Sequence, residues 1–128
     1  MNGKSTSLVS AIVVAAGREE CLVPCLESLR IQTHPQVQTI VIDNSVNADF
    51  TRDILRDYPE IDLYQSPRNL FYCEALNRGI EMSRGDFILC LNDDVVLERG
   101  FIEEALKGFS LGERVGAVSG KILRADKR

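Results

Sequence analysis

Two carboxylates stand side by side in Asn92-Asp93-Asp94, directly after the apolar run Phe87-Ile88-Leu89-Cys90-Leu91. Charge at the end of a buried segment is costly unless something nearby wants it. The chemistry that wants it is a hard divalent cation. Mg2+ typically takes one or two protein carboxylates and fills its remaining positions from phosphate and water, and Mn2+ accepts the same oxygen donors. Asn92 can add only a neutral carbonyl oxygen. Few other residues compete for a chemical role. The one histidine, His34, sits beside Pro35, which leaves nothing to build a histidine metal centre or a histidine general base. Cys21, Cys25, Cys73 and Cys90 read as reduced, small core residues of a cytosolic protein, with Cys90 inside a buried strand.

The elements that must position Asp93 and Asp94 follow from periodicity. The apolar run Phe87–Leu91 reads as a strand buried on both faces, as in a parallel sheet covered by helices. Leu8–Ala15 is a first strand, broken by Ala16-Gly17-Arg18-Glu19-Glu20. Leu22, Leu26 and Leu29 then fall at helical spacing with Cys25 beside them, and Pro24 suits a first turn. Val37–Ile42 is a second strand running into Asp43-Asn44-Ser45, and Asp49 is the N-cap of a short helix closed by Tyr58-Pro59. Ile61–Gln65 makes a third strand. Ala75, Leu76, Ile80 and Met82 mark a helix stopped near Gly85. After the acidic triplet come a helix over Phe101–Phe109 and a fifth strand over Val115–Gly120. Regular strand–helix alternation predicts right-handed βαβ units, a mostly parallel sheet and an α/β fold. In such sheets ligands bind outside the carboxyl ends of the strands. The loops after strands one, two and four therefore converge on the acidic triplet.

Composition narrows the classes. The 128 residues make one domain with a core large enough to fold unaided. A net charge of -4, from 15 basic and 19 acidic residues, argues against a nucleic-acid partner. No apolar run approaches the roughly 20 residues of a transmembrane helix, and the first seven residues lack a signal-peptide core. The expectation is a cytoplasmic chain, at most seated on the inner face of the membrane.

A phosphate-bearing ligand needs positive charge. The first loop lacks the G-x-G-x-x-G of dinucleotide folds, and no G-x-x-x-x-G-K-[ST] occurs anywhere. With no glycine nest for the phosphates, a cation on Asp93 and Asp94 is left to neutralise them. That combination matches a nucleoside diphosphate carried on a metal.

At this point the sequence resembles the family 2 glycosyltransferases. The first-strand loop, Val41-Ile42-Asp43-Asn44-Ser45, Arg68-Asn69, Ala75-x-Asn77-x-Gly79, Gly85-Asp86 and Leu91-Asn92-Asp93-Asp94 occur in the family's order. The resemblance runs from about Leu8 to Ile122. Leu91–Asp94 is similar to the D-x-D element in the form of rhamnosyltransferase-like members. The resemblance implies a GT-A (Rossmann-like) fold, a nucleotide-diphosphate sugar donor, and inverting transfer to a glycan or lipid-linked acceptor hydroxyl in cell-envelope polysaccharide assembly. It also implies roles. Ala15, Ala16 and Gly17 would face the nucleotide, Asp43 would hydrogen-bond the base or ribose, and Asn69 would line the base pocket. Asp93 would touch the ribose or a metal-bound water, and Asp94 would ligate Mg2+ or Mn2+ with Asn92 as a neutral partner.

Three positions depart from the family pattern. The first D-x-D position is Asn92, the glycine two residues after Asn69 is Phe71, and Leu76 stands where many members carry arginine. Arg128 follows just past the fifth strand. The expectation is thus the nucleotide-binding half of a GT-A fold, truncated after that strand, with no catalytic base to nominate. The rival reading is a non-catalytic regulatory module similar to receiver domains. Those need an acidic pair after strand one, where this chain has Ala15-Ala16-Gly17. A nucleotidyltransferase would want a glycine-rich basic first loop, which is absent.

Overall fold

The computed structural model describes residues 6–45 and 48–123. Four strands, β1 (Val9–Ala15), β2 (Val37–Asp43), β3 (Asp62–Gln65) and β4 (Phe87–Asn92), pair in the order β3-β2-β1-β4, all parallel. Helices α1 (Glu19–Arg30), α2 (Ala48–Ile54), α3 (Phe71–Met82) and α4 (Phe101–Gly108) alternate with them.

β1 is central, and its β-branched and small residues serve two cores. Val9, Ala11, Val13 and Ala15 meet Leu22, Cys25, Leu26 and Leu29 of α1, with Leu55 and Tyr58 after α2 and Ile102 of α4. Ile12, with Ile40 and Ile42 of β2, faces Ala75 of α3. Each fully buried leucine of α1 contributes roughly 1.5–3 kcal/mol. Glu19 and Glu20 at the start of α1 and Arg30 at its end complement the helix dipole. α3 approaches β1 closely because Gly79 has no side chain; a Cβ there would lie 2.4 Å from Ile12 Cγ2.

At the opposite edge from the acidic triplet, a polar network locks the turn between α3 and β4. Ser10 Oγ donates to Gln38 Oε1 (2.6 Å) and accepts from the Gly85 amide (2.8 Å), while the Arg84 amide donates to the same Gln38 oxygen (2.9 Å). Gln38 Nε2 donates to Asp62 (2.9 Å). His34, which is buried, places Nε2 2.6 Å from the Ser7 carbonyl oxygen.

Several sequence expectations are corrected. β4 is an edge strand, not one buried on both faces. Phe87, Leu89 and Leu91 turn into the α1–α4 core, while Ile88 and Cys90 lie exposed on the other face. Cys73 is also exposed, so of the four thiols Cys25 alone is fully a core residue. Pro24 lies in the second turn of α1, where it removes one backbone hydrogen bond. Asp49 falls inside the first turn of α2 rather than at its cap. No strand forms over 115–120, so the sheet has four strands among the described residues. That segment lies against α4 instead. A Cβ on Gly108 would meet Val118 at 2.7 Å, and one on Gly120 would meet the Phe101 ring at 2.3 Å. Glycines 116 and 120 weaken strand preference, and Gly108 and Gly120 permit this close approach.

Candidate functional site

Strand register assembles the site. Ala15 pairs with Asp43, Val14 with Asn92 and Asp43 with Gln65. The loops after β1, β2 and β4 therefore leave from one edge. Asn44 ties two neighbours together, its amide donating to the Ala15 carbonyl (2.9 Å) and its Oδ1 accepting from the Leu70 amide (3.2 Å).

Over β1 and β2 this edge holds a cavity of about 600 Å3, within the range of small-molecule sites of roughly 300–1,000 Å3. Its walls are the run Val14–Gly17, then Asn44 and Ser45, Phe50 of α2, and Asn69, Phe71 and Tyr72 at the start of α3. Gly17 takes φ +82°, a conformation that favours glycine, and lets the first loop turn against Ser45. Asp43, 1% exposed, does not line the cavity but adjoins lining residues, pairing with Ala15 across the strands and preceding Asn44 and Ser45. Its Oδ1 accepts from the Ser45 amide (2.9 Å), and its Oδ2 is buried with no hydrogen-bond partner. A buried carboxylate oxygen left unpaired is costly, which makes it a group waiting for a donor. Asn69 uses its Oδ1 to accept from the Phe71 amide (2.8 Å). Arg68 turns away to pair with Glu74 (2.7 Å).

The acidic triplet divides by residue. Asp93 is 2% exposed, and both its oxygens are engaged: Oδ1 with Arg18 Nη2 at 2.6 Å, Oδ2 with the Ala16 amide at 3.0 Å. It fastens the first loop to the end of β4. The hydrogen bond and charge of Asp93 hold the Arg18 guanidinium above its ordinary pKa. Asn92 and Asp94 are exposed, and Asp94 forms no hydrogen bond or ion pair with a described residue. None of the three lines the cavity; they flank it across Ala16 and Arg18. Cys25 lies behind them with Sγ 3.8 Å from the Asn92 carbonyl. Burial first, then the negative field of Asp93 and Asp94, pushes its thiol up to about 12. It stays protonated at neutral pH and offers neither a thiolate ligand nor a nucleophile.

Of the sequence-nominated residues, Ala15, Ala16, Gly17 and Asn69 line the cavity and Asp43 adjoins its lining without joining it, while Asn92, Asp93 and Asp94 stand at its flank. Sequence reasoning missed the Arg18–Asp93 pair, whose members lie 75 residues apart. It also missed the aromatic wall of Phe50, Phe71 and Tyr72. The one signal for the latter was Phe71 standing where the resembling family has glycine.

Known proteins share this frame. The model of the family described as glycosyl transferase family 2 matches residues 10–127. EpsH of Bacillus subtilis is 33% identical over 107 residues, 80% of this chain and 30% of its own length. The poly-beta-1,6-N-acetyl-D-glucosamine synthase of Staphylococcus epidermidis is 24% identical over 88% of this chain and 28% of its own. Two solved structures superpose well. S. aureus TarS 1-349 in complex with UDP has TM-score 0.72 and 21% identity, covering 81% of this chain and 32% of that one. The mannosyltransferase PcManGT of Pyrobaculum calidifontis, in complex with GDP-Man and Mn2+, has TM-score 0.73 and 18% identity over 83% and 33%. The chain thus spans about 30% of the length of EpsH, and its sheet and helices take the GT-A arrangement. With the family model matching nearly end to end, the chain belongs to glycosyl transferase family 2.

Proposed function

We propose that this chain is the donor-binding half of a glycosyltransferase that moves a sugar from a nucleotide-diphosphate sugar to an acceptor hydroxyl, with metal assistance. The observation that carries the reading is the unpartnered Asp43 Oδ2, on a residue next to the cavity's lining residues Ala15, Asn44 and Ser45, at the edge where three strand ends meet. A ring N–H or a ribose hydroxyl of the nucleotide is the donor such an oxygen lacks. The Ala15–Gly17 loop would lie along the nucleotide, and Asn69, with its Oδ1 already engaged, would present its amide N–H groups to the base.

The donor set at the flank fits a hard cation. Asp94 is an exposed carboxylate, unpaired among the described residues, and Asn92 beside it offers a carbonyl oxygen. Among the described residues no group of three or more His, Cys, Asp or Glu could hold a metal by itself. That suits Mg2+ or Mn2+ bound by one or two protein oxygens and completed by phosphate and water. When bound, the ion supplies Lewis-acid neutralisation of the charge growing on the leaving diphosphate. Asp93 acts through the protein: it holds Arg18 and the Ala16 amide, and so positions the loop that meets the phosphates. PcManGT is in complex with Mn2+ and GDP-Man, and TarS with UDP; both lend support to the class of ligand. The acceptor is proposed to be a glycan or lipid-linked hydroxyl, in keeping with the polysaccharide synthase among the relatives.

Thermal stability followed against UDP, GDP and dTDP, with and without Mn2+, tests the reading. One of these nucleotides raises the melting temperature more with metal than without. If none shifts it at millimolar concentration, the donor-site assignment is wrong.

A further inference from the structure

Phe71 is the most conspicuous residue of the cavity that donor binding leaves unexplained. It is the sole non-glycine residue with positive φ among those described, at +58°, a conformation that costs an L-residue roughly 1–2 kcal/mol. Its side chain returns little of that through packing, since it is 74% exposed. The Asn69 side chain fixes the bend by accepting from the Phe71 amide. The result is a ring held at the cavity mouth, with Tyr72, 44% exposed, beside it. An exposed, strained aromatic at a cavity is unfavourable for the free protein and favourable for a flat ligand.

We propose that the Phe71 ring is the platform on which the nucleobase of the donor stacks, and so sets how tightly this chain holds its nucleotide. The inference rests on the donor-site reading above and adds a residue to it. Position decides base over sugar or phosphate. Phe71 shares the cavity with Asn69 and follows Leu70, whose amide is bonded to Asn44 after β2, whereas Asp94 at the end of β4 lies outside the cavity walls and would mark the phosphate side. Every base has a π-face, so the platform adds affinity for any of them, while hydrogen bonds from Asp43 and Asn69 choose among them.

The test compares Phe71→Gly, Phe71→Ala and Phe71→Tyr by calorimetric titration with whichever of UDP, GDP or dTDP shifts the wild type, and with its nucleoside monophosphate. Phe71→Gly is expected to melt at or above the wild-type temperature, because glycine relieves the backbone, yet to bind both ligands about tenfold or more weaker. Phe71→Ala should lose the same affinity, and Phe71→Tyr should keep it. Equal affinity in wild type and Phe71→Gly overturns the platform while leaving the donor site intact. So does tighter binding in Phe71→Gly, which would make the ring an obstruction. A loss seen with the diphosphate but not the monophosphate also overturns it. Failure of the wild type to bind any of the three refutes the donor-site reading itself.

Discussion

At the scale of single residues, the adjacent aspartates Asp93 and Asp94 have opposite surroundings, and that predicts opposite phenotypes. Asp93→Ala strands the Arg18 guanidinium and the Ala16 amide together. Because Arg18 is about half exposed, the loss is discounted to roughly 1–3 kcal/mol, read as a lower denaturation midpoint. Asp94→Ala touches no partner and should leave the midpoint within about 0.5 kcal/mol of wild type. Matching losses in the two variants would contradict the division of labour. The sequence made this pair visible as adjacent carboxylates but could not separate them, since what distinguishes them is Arg18, far away in the chain. Asp43 was legible as an acid at a strand end; its orphaned oxygen was not, because that depends on which loop amide reaches Oδ1 first. Tyr58 carries a second residue-scale consequence. Burial, and then its hydrogen bond to Glu27 (2.6 Å), push its hydroxyl from 10.0 up to about 12. The folded state thus holds this proton more tightly than the unfolded chain. The associated stability is complete below pH 10 and is lost as the pH climbs toward about 12, on the order of 2 kcal/mol. Chemical denaturation between pH 8 and 11.5 should show that decline, shallower in Tyr58→Phe; an unchanged slope in the variant would assign it elsewhere.

Among the elements, the decisive contact is α3 on β1. Gly79 allows it, and Gly79→Ala sets a methyl group 2.4 Å from Ile12 Cγ2. The expected cost is about 1–3 kcal/mol, much of it recovered relative to Ile12→Ala when both changes are combined. Additive losses in that double-mutant cycle would show that the helix is not seated through this contact. Strand–helix alternation, and with it the parallel sheet, was legible because hydrophobic period and length are local properties. The two strand errors are not local. An apolar run such as Phe87–Leu91 does not say whether a neighbour will cover both faces; strand order does, and it puts β4 at the edge with Ile88 and Cys90 open. The valines of 115–120 read as strand, but Gly108 and Gly120 let the segment nestle against α4 instead.

For the whole molecule, the uncovered side of β4 matters. Ile88 (41% exposed), Ile80 and Tyr72 leave apolar surface open there, with Cys73 and Cys90 exposed as well. Thiol labelling of the native chain should therefore modify Cys73 and Cys90 readily, Cys90 the slower because partial burial raises its pKa, and leave Cys25 unreacted until unfolding. Rapid labelling of Cys25 in the native state would contradict the packing of α1 on β1. No helix among the described residues is long and apolar enough to cross a membrane. The central claim concerns how three strand ends act together: a nucleotide laid from Asp43 toward Asp94, with a cation at the far end. Calorimetric titration of UDP, GDP and dTDP into wild type, Asp94→Ala and Asp43→Asn, each with and without Mn2+, tests it most directly. For the nucleotide that binds, Mn2+ should tighten the wild type about tenfold or more. Asp94→Ala should keep the metal-free affinity but lose the metal's effect, and Asp43→Asn should weaken binding with or without metal. An undiminished Mn2+ effect in Asp94→Ala would contradict the account.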